Sequence, residues 1–289
     1  MQSTAISTPS TAARHAYCLG DTARRVRLFE LHESHMSETD IAPIGIIGGT
    51  ALADLAELEA AETRSDIDTS WGAPSGPLVR GHLAGRAVCF VMRHGPGHKL
   101  APHRINYRAN IQALADAGCK QVIAIAAVGG ITDAMRAGRI VIPDQIIDYS
   151  WGRAHSFYDD ERGGLLDHID FTDPYDAALS KALVDAAQGL KLDPAAGGVH
   201  GVTQGPRLET AAEIDRMARD GCDIVGMTGM PEAALAREAG LDYACCAVVV
   251  NKAAGRSGGA AIHAEIEATL AQGMADIERL LVAVLPELA

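Results

Sequence analysis

The stretch DYACCAVVVNKAAGRSGG, residues 242–259, sets the terms of the reading. Cys245 to Val250 is an unbroken apolar run rich in β-branched residues, the pattern of a strand covered on both faces. It runs straight into Asn251-Lys252 and then into small residues and glycine. Either Asn251 only starts a turn, or it presents its carboxamide to a ligand at the carboxyl edge of a sheet.

Working outward, the same texture recurs. IGIIGGTAL (44–52) reads as a strand, a glycine turn and a helix start, and AVCFVMRHG (87–95) as a strand ending in Arg-His-Gly. NYRANIQALADAG (106–118) has helical spacing with a glycine stop, and QVIAIAAVGG (121–130) is a strand ending in glycines. RIVIPDQIID (139–148) reads as one further strand. GVHGVTQGPRLET (198–210) is extended and leads to a helix near Glu209, and DIVGMTGMPEAALAREAG (223–240) reads as strand, turn, helix and cap. An amphipathic helix from about His263 to Leu288 closes the chain. Strands alternating with helices imply an α/β fold: a single domain, residues 43–289, with a mixed, mostly parallel central sheet flanked by helices. Residues 1–40, rich in Ser, Thr, Ala and Arg, read as a flexible extension or a misplaced start, with a targeting peptide as the other reading.

Composition narrows the partners. A net charge of −12 over 289 residues argues against nucleic acid or an anionic membrane as partner, though a site can be locally positive. The six cysteines show no metal-ligand spacing and fit reduced thiols in the cytoplasm. No apolar run approaches the roughly 20 residues that span a bilayer.

In open α/β sheets, ligands sit beyond the carboxyl ends of the strands. Those ends carry Gly48-Gly49-Thr50, Arg93-His94, Val128-Gly129-Gly130, Met227-Thr228 and Asn251. Glycines admit backbone N–H groups close to an anion, and the Arg93 fork suits a phosphate, with His94 and His98 beside it. Each feature alone has an ordinary explanation. GIIGGT is an incomplete dinucleotide pattern, and Thr228 before Pro231-Glu232 is a good helix cap. His94, His98 and His103 invite a metal, but glycines and proline make H-x-x-x-H a loop, so no metal is expected. Glu209 is either a helix-dipole partner or, with Asn251, a base reader. A carboxylate accepts from N1–H of a 6-oxopurine, and a carboxamide donates to O6 or N7.

IGIIGGT, RHGPGH, INYRANIQAL, AVGGI, SFYD, TQGPRLET and DIVGMTGMPEAALARE together resemble the trimeric purine nucleoside phosphorylase and methylthioadenosine phosphorylase family, and most closely its bacterial S-methyl-5′-thioinosine phosphorylase branch. The resemblance runs from about Ile44 to Leu288. It implies that Thr50, Arg93, His94, His98, the Ala126 backbone and Thr228 bind phosphate. It implies that Met227 packs under the ribose and that Leu208, Glu209 and Asn251 hold the base. Arg93, Glu209 and Asn251 would be the catalytic set. Adenosine-type members carry aspartate at the position of Asn251 and lack the glutamate of Glu209, so this pair implies a 6-oxopurine. His168 would reach a neighbour's site across a trimer, or it is a surface-loop residue. His263 is either a reader of a 5′-hydroxyl or a polar residue in a helix's first turn, which leaves a 5′-methylthio or a 5′-hydroxyl substrate open. The implied reaction is phosphorolysis, with phosphate as a substrate, no cofactor, and a homotrimer or dimer of trimers as the assembly. The rivals are a general inosine/guanosine phosphorylase, a methylthioadenosine phosphorylase and a non-catalytic nucleoside-binding protein.

Overall fold

The computed structural model describes residues 41–49, 58–159, 164–256 and 262–288, with the side chains of 60, 61, 262–265, 267 and 268 left out. Thr50, the helix start expected after it and the side chain of His263 lie outside the described residues.

The sheet is built around two long strands. β1 (Ile44–Gly48) lies between β4 (Arg86–Met92) and β5 (Gln121–Gly130), parallel to both. β11 (Asp242–Lys252) runs parallel to β5 along its whole length. An antiparallel pair, β2 (Glu59–Arg64) and β3 (Leu78–Leu83), extends the β4 edge. Beyond β5 the sheet continues through β10 (Ile224–Gly226), antiparallel to it, then β9 (Val199–Val202) and β7 (Gln145–Asp148). β6 (Ile140–Ile142) and the short β8 (Ala195–Ala196) branch from β11. Among the described residues six of the ten strand pairings are parallel, so the sheet is mixed and mostly parallel.

The opening stretch explains the layering. Successive side chains of a strand face opposite sides. Tyr243, Cys245, Ala247 and Val249 join one core with residues of α1 (Tyr107–Asp116) and α4 (Gly229–Glu238). Ala244, Cys246, Val248 and Val250 join another with α2 (Ala177–Gly189) and α5 (Ile262–Val284). Both faces of β11 are covered, which is why its sequence shows no polar alternation. The C-terminal helix ends at Val284 in a 3-10 turn, Leu285–Glu287, that includes Pro286.

Three expectations change in detail. The strand expected over 139–148 is two, β6 and β7, on different partners. Pro143 lacks the N–H that a continuous ladder would need, and Asp144 turns outward to accept from Gly198 N at 2.9 Å. The helix expected near Glu209 is α3 (Ala211–Arg219), capped by a reciprocal Thr210–Glu213 box, so Glu209 stays in the preceding loop. The β2–β3 pair and α2 were not anticipated.

His200, on β9, is fully buried. Its Nδ1 lies 3.3 Å from the Tyr175 hydroxyl, and its Nε2 has no hydrogen-bond partner among the described residues. Burial, and then the nearby charge of Arg93, lowers its pKa to about 4. The unfolded chain therefore takes up this proton near pH 6.5, and the folded protein only near pH 4. Stability is fully present above about pH 6.5 and lost as pH falls toward 4, with an upper bound of about 3 kcal/mol from this group. Urea unfolding of wild type and His200→Leu between pH 7 and 4 should show a shallower acid slope in the variant. Equal slopes would place the acid sensitivity elsewhere.

Candidate functional site

Several of the residues singled out in the sequence meet along one line of strand ends. The end of β1 is locked to the residue after β4, since Arg93 N donates to Gly48 O at 2.9 Å. A register shift between Val249 and Asn251 places Asn251 opposite Gly129 on β5. Gly129 in turn faces Val225 of β10, and Met227 and Thr228 follow β10 directly. Thr203, just past β9, donates its N–H to Gly226 O at 2.8 Å. Its hydroxyl donates to Glu209 Oε1 at 2.5 Å.

The glycines along this line have steric reasons. A Cβ on Gly130 would lie 1.9 Å from the Met135 carbonyl oxygen. Gly205 has φ +58°, and a Cβ there would meet Met227 Sδ at 2.5 Å. Only glycine lets the loop carrying Leu208 and Glu209 approach Met227 this closely.

The Nε/Nη2 fork of Arg93 is turned to a carboxylate. Nε and Nη2 form a bidentate pair with Glu232 at 2.7 Å each, while Nη1 donates to Ile125 O at 2.8 Å. Arg93 is 3% exposed and Glu232 0%. Tyr243 donates its hydroxyl to Glu232 at 2.9 Å. Burial works against the guanidinium's charge, but Glu232 outweighs it and raises its pKa. Arg93 thus acts as a brace between strands.

His94 is half-buried and stacks on the exposed His98, ring centroids 4.1 Å apart. Its Nδ1 lies 2.8 Å from Leu100 O. A carbonyl only accepts, so Nδ1 carries the proton and Nε2 of the neutral ring is an acceptor. Burial, partly opposed by the Leu100 bond, lowers the pKa of His94 to about 4. Thr228 is buried and sits at the N-cap position of α4, but its hydroxyl makes no capping bond.

Asn251 is buried, and one of its amide hydrogens goes to Lys252 O at 2.6 Å, leaving the other and Oδ1. Lys252 itself is structural: its ammonium donates to Thr132 O at 3.0 Å. Leu208 is 38% exposed. A cleft of about 260 Å³ flanks this end, lined by Tyr149, Trp151, Thr203, Gln204, Arg207 and Glu209 among others. His168 is exposed in the loop ahead of α2, outside this line of residues.

Sequence reading missed Glu232, Thr203 and Arg153. Glu232 stood in plain view in MPEA, but a carboxylate is so seldom fully buried that only its partner's position reveals it. Thr203 begins the TQGPRLET motif, and its link to Glu209 needs the turn at Gly205. Arg153, in WGRAH, carries no pattern at all.

With this geometry in hand, the chain is placed by comparison with known proteins. Residues 43–286 match the Phosphorylase superfamily, and the chain belongs to that family. It is 53% identical over 220 residues to a probable S-methyl-5′-thioinosine phosphorylase of Xanthomonas campestris pv. campestris, covering 76% of this chain and 87% of the relative. It is 42% identical to the 6-oxopurine nucleoside phosphorylase of Pyrococcus furiosus, over 84% of this chain and 92% of the relative. Its fold matches methylthioadenosine phosphorylase from Schistosoma mansoni bound to adenine, with TM-score 0.79 and 30% identity over 86% of this chain and 92% of that one.

Removing one partner from a buried ion pair strands the other charge. Glu232→Ala should therefore lower the unfolding free energy by about 3–5 kcal/mol, read from urea denaturation. A loss below about 1 kcal/mol, the range of exposed pairs, would mean that water reaches Arg93.

Proposed function

We propose that the chain catalyses phosphorolysis of 6-oxopurine nucleosides, S-methyl-5′-thioinosine foremost, giving hypoxanthine and 5-methylthioribose 1-phosphate. The observation that carries this reading is that Glu209 is held by Thr203, next to Gly226 of β10, while Asn251 lies opposite Gly129, the neighbour of β10 on β5. Glu209 offers a carboxylate already anchored by Thr203, and Asn251 offers an amide hydrogen. Together they complement the N1–H and the O6/N7 edge of a 6-oxopurine. Leu208 covers the ring and Met227 lies under the ribose.

Phosphate is a substrate, held by Thr228, His94, His98 and the Ala126 backbone, with Arg93 and Thr50 completing the set. Arg93 contributes by fixing strand ends. Departure of the base leads, with positive charge growing on the sugar. The phosphate beneath the anomeric carbon stabilises that charge and then attacks. Asn251 stabilises the leaving base at N7. The catalysis is positional and electrostatic, with no covalent enzyme intermediate and no cofactor. A cytoplasmic homotrimer, with His168 reaching a neighbour's substrate, completes the reading. The second reading is a general inosine/guanosine phosphorylase. It is favoured by the 6-oxopurine name of the Pyrococcus relative, and in it His263 reads a 5′-hydroxyl.

The test is phosphate-dependent release of base from inosine, S-methyl-5′-thioinosine and methylthioadenosine in parallel. Methylthioinosine ahead by orders of magnitude supports the first reading, and inosine equal or better supports the second. Methylthioadenosine as best substrate overturns both. A site built for one hydrogen-bond polarity leaves buried groups unpaired with the other. Asn251→Asp should accordingly shift the kcat/KM ratio of methylthioinosine to methylthioadenosine by ~100-fold or more toward the latter. An unchanged ratio would remove Asn251 from base recognition.

His94 gives a pH prediction. Its neutral ring offers an acceptor at Nε2, so a fully ionised oxyanion binds there only when the ring is protonated. Sulfate, whose charge is fixed over this range, should inhibit more strongly as pH falls from 8 toward 5, by up to about tenfold per unit. His94→Gln should flatten the dependence. A flat wild-type profile would show that the anion does not touch Nε2.

A further inference from the structure

Arg153 is the second buried guanidinium next to the site, and no motif assigns it a role. It is 8% exposed. Nε donates to Gln204 Oε1 at 3.1 Å. Nη2 donates to the backbone oxygens of Thr203 at 3.0 Å and Gln204 at 2.9 Å. Nη1 donates to Met227 O at 2.9 Å and to Met230 O, with the Tyr107 hydroxyl at 3.4 Å. Five N–H groups thus meet six acceptors, and all of these acceptors are uncharged. Burial lowers the pKa of Arg153, yet an arginine stays protonated.

The acceptors fall on two loops. Thr203 and Gln204 begin the loop that carries Leu208 and Glu209. Met227 and Met230 bracket Thr228. The segment holding Arg153 is itself pinned, since Ser156 Oγ and Phe157 N both donate to Glu238, at 2.9 and 2.6 Å. Across a trans peptide, the N–H points opposite to the carbonyl. With the Met227 carbonyl turned to Arg153, the Thr228 N–H points the other way. A cation on that carbonyl polarises the peptide and strengthens the donor.

We propose that Arg153 is a positioning residue for the reaction: it clamps the base-reading loop to the loop that bears Met227 and Thr228, and it directs the Thr228 N–H toward the anion. This rests on the phosphorolysis reading above. A lysine keeps the charge but offers three donors from one point, too few for both loops at once. A misplacement near 1 Å costs ~100-fold, and the clamp serves both substrates.

The test compares wild type, Arg153→Lys and Arg153→Ala on methylthioinosine, inosine and methylthioadenosine, with melting curves for each. Arg153→Lys should stay folded and lose ~100-fold in kcat/KM, with KM rising for both phosphate and nucleoside. Its preference for 6-oxopurines over methylthioadenosine should narrow, because Glu209 is no longer held in register. A few tens of millimolar guanidinium should restore part of the activity of Arg153→Ala. General destabilisation would lower all three substrates in proportion to the folded fraction, leaving the preference intact and guanidinium without effect, and that result overturns the proposal. So does wild-type kinetics in Arg153→Lys, or failure of both variants to fold, which would mark Arg153 as purely structural. A wild type that cleaves none of the three nucleosides overturns the phosphorolysis reading itself.

Discussion

The bidentate pair of Arg93 and Glu232 is the contact on which the geometry of the site depends. Arg93 follows β4, its N–H holds the end of β1, and its Nη1 caps a carbonyl of β5. Glu232 belongs to α4 and also receives the Tyr243 hydroxyl from β11. Arg93 and its ion pair therefore tie four strands and a helix together at the place where β1 and β4 stop. Two ions taken from water cost several kcal/mol each unless their remaining donors and lone pairs are satisfied. Here the extra bonds to Ile125 and from Tyr243 meet that condition. The stability gained over an apolar pair is small. What the pair supplies is a defined position, because a charged fork tolerates less slippage than packed leucines.

That arrangement also explains how much of the fold was legible. β11, β5 and β4 are covered on both faces, and continuous apolar runs announce them. α1 and α4 show helical spacing with glycine stops. The break at Pro143 was misjudged because Ile140–Ile142 and Gln145–Asp148 look like one strand until their partners are known. β2 and β3 lie at an edge, where a mixed composition such as EAAETR carries little periodic signal. α2 has three buried positions and many small residues, so its amphipathic stripe is faint.

The site was legible where chemistry and spacing coincide. Glu209 and Asn251 are 42 positions apart in the numbering, yet one lies in the loop that leaves β9 and the other near the end of β11, and the rule for ligands in α/β sheets directs attention to such places. Arg93 was legible as a site residue but not as a brace. Its fork fits a carboxylate as well as a phosphate, and only the fold shows Glu232 buried against it. Arg153 was illegible because every one of its strong partners is backbone or amide oxygen. Backbone acceptors exist at every position, so they leave no trace in a sequence.

The two buried arginines divide one task. Arg93 is neutralised by its carboxylate and contributes shape. Arg153 has uncharged partners and contributes shape together with a net positive charge. Burial disfavours the protonated form of His94. A chain with a net charge of −12 can in this way still present a locally favourable field to an anion. The charge that matters is fixed, buried and screened little by salt, whereas the acidic excess sits largely at the surface, where water and ions weaken it within about 10 Å. Placing the cation behind the carbonyls of Thr203, Gln204 and Met227 has a further consequence. It fixes the orientation of these peptides in advance, so in the proposed phosphorolysis little reorganisation is left for the moment when charge develops on the sugar.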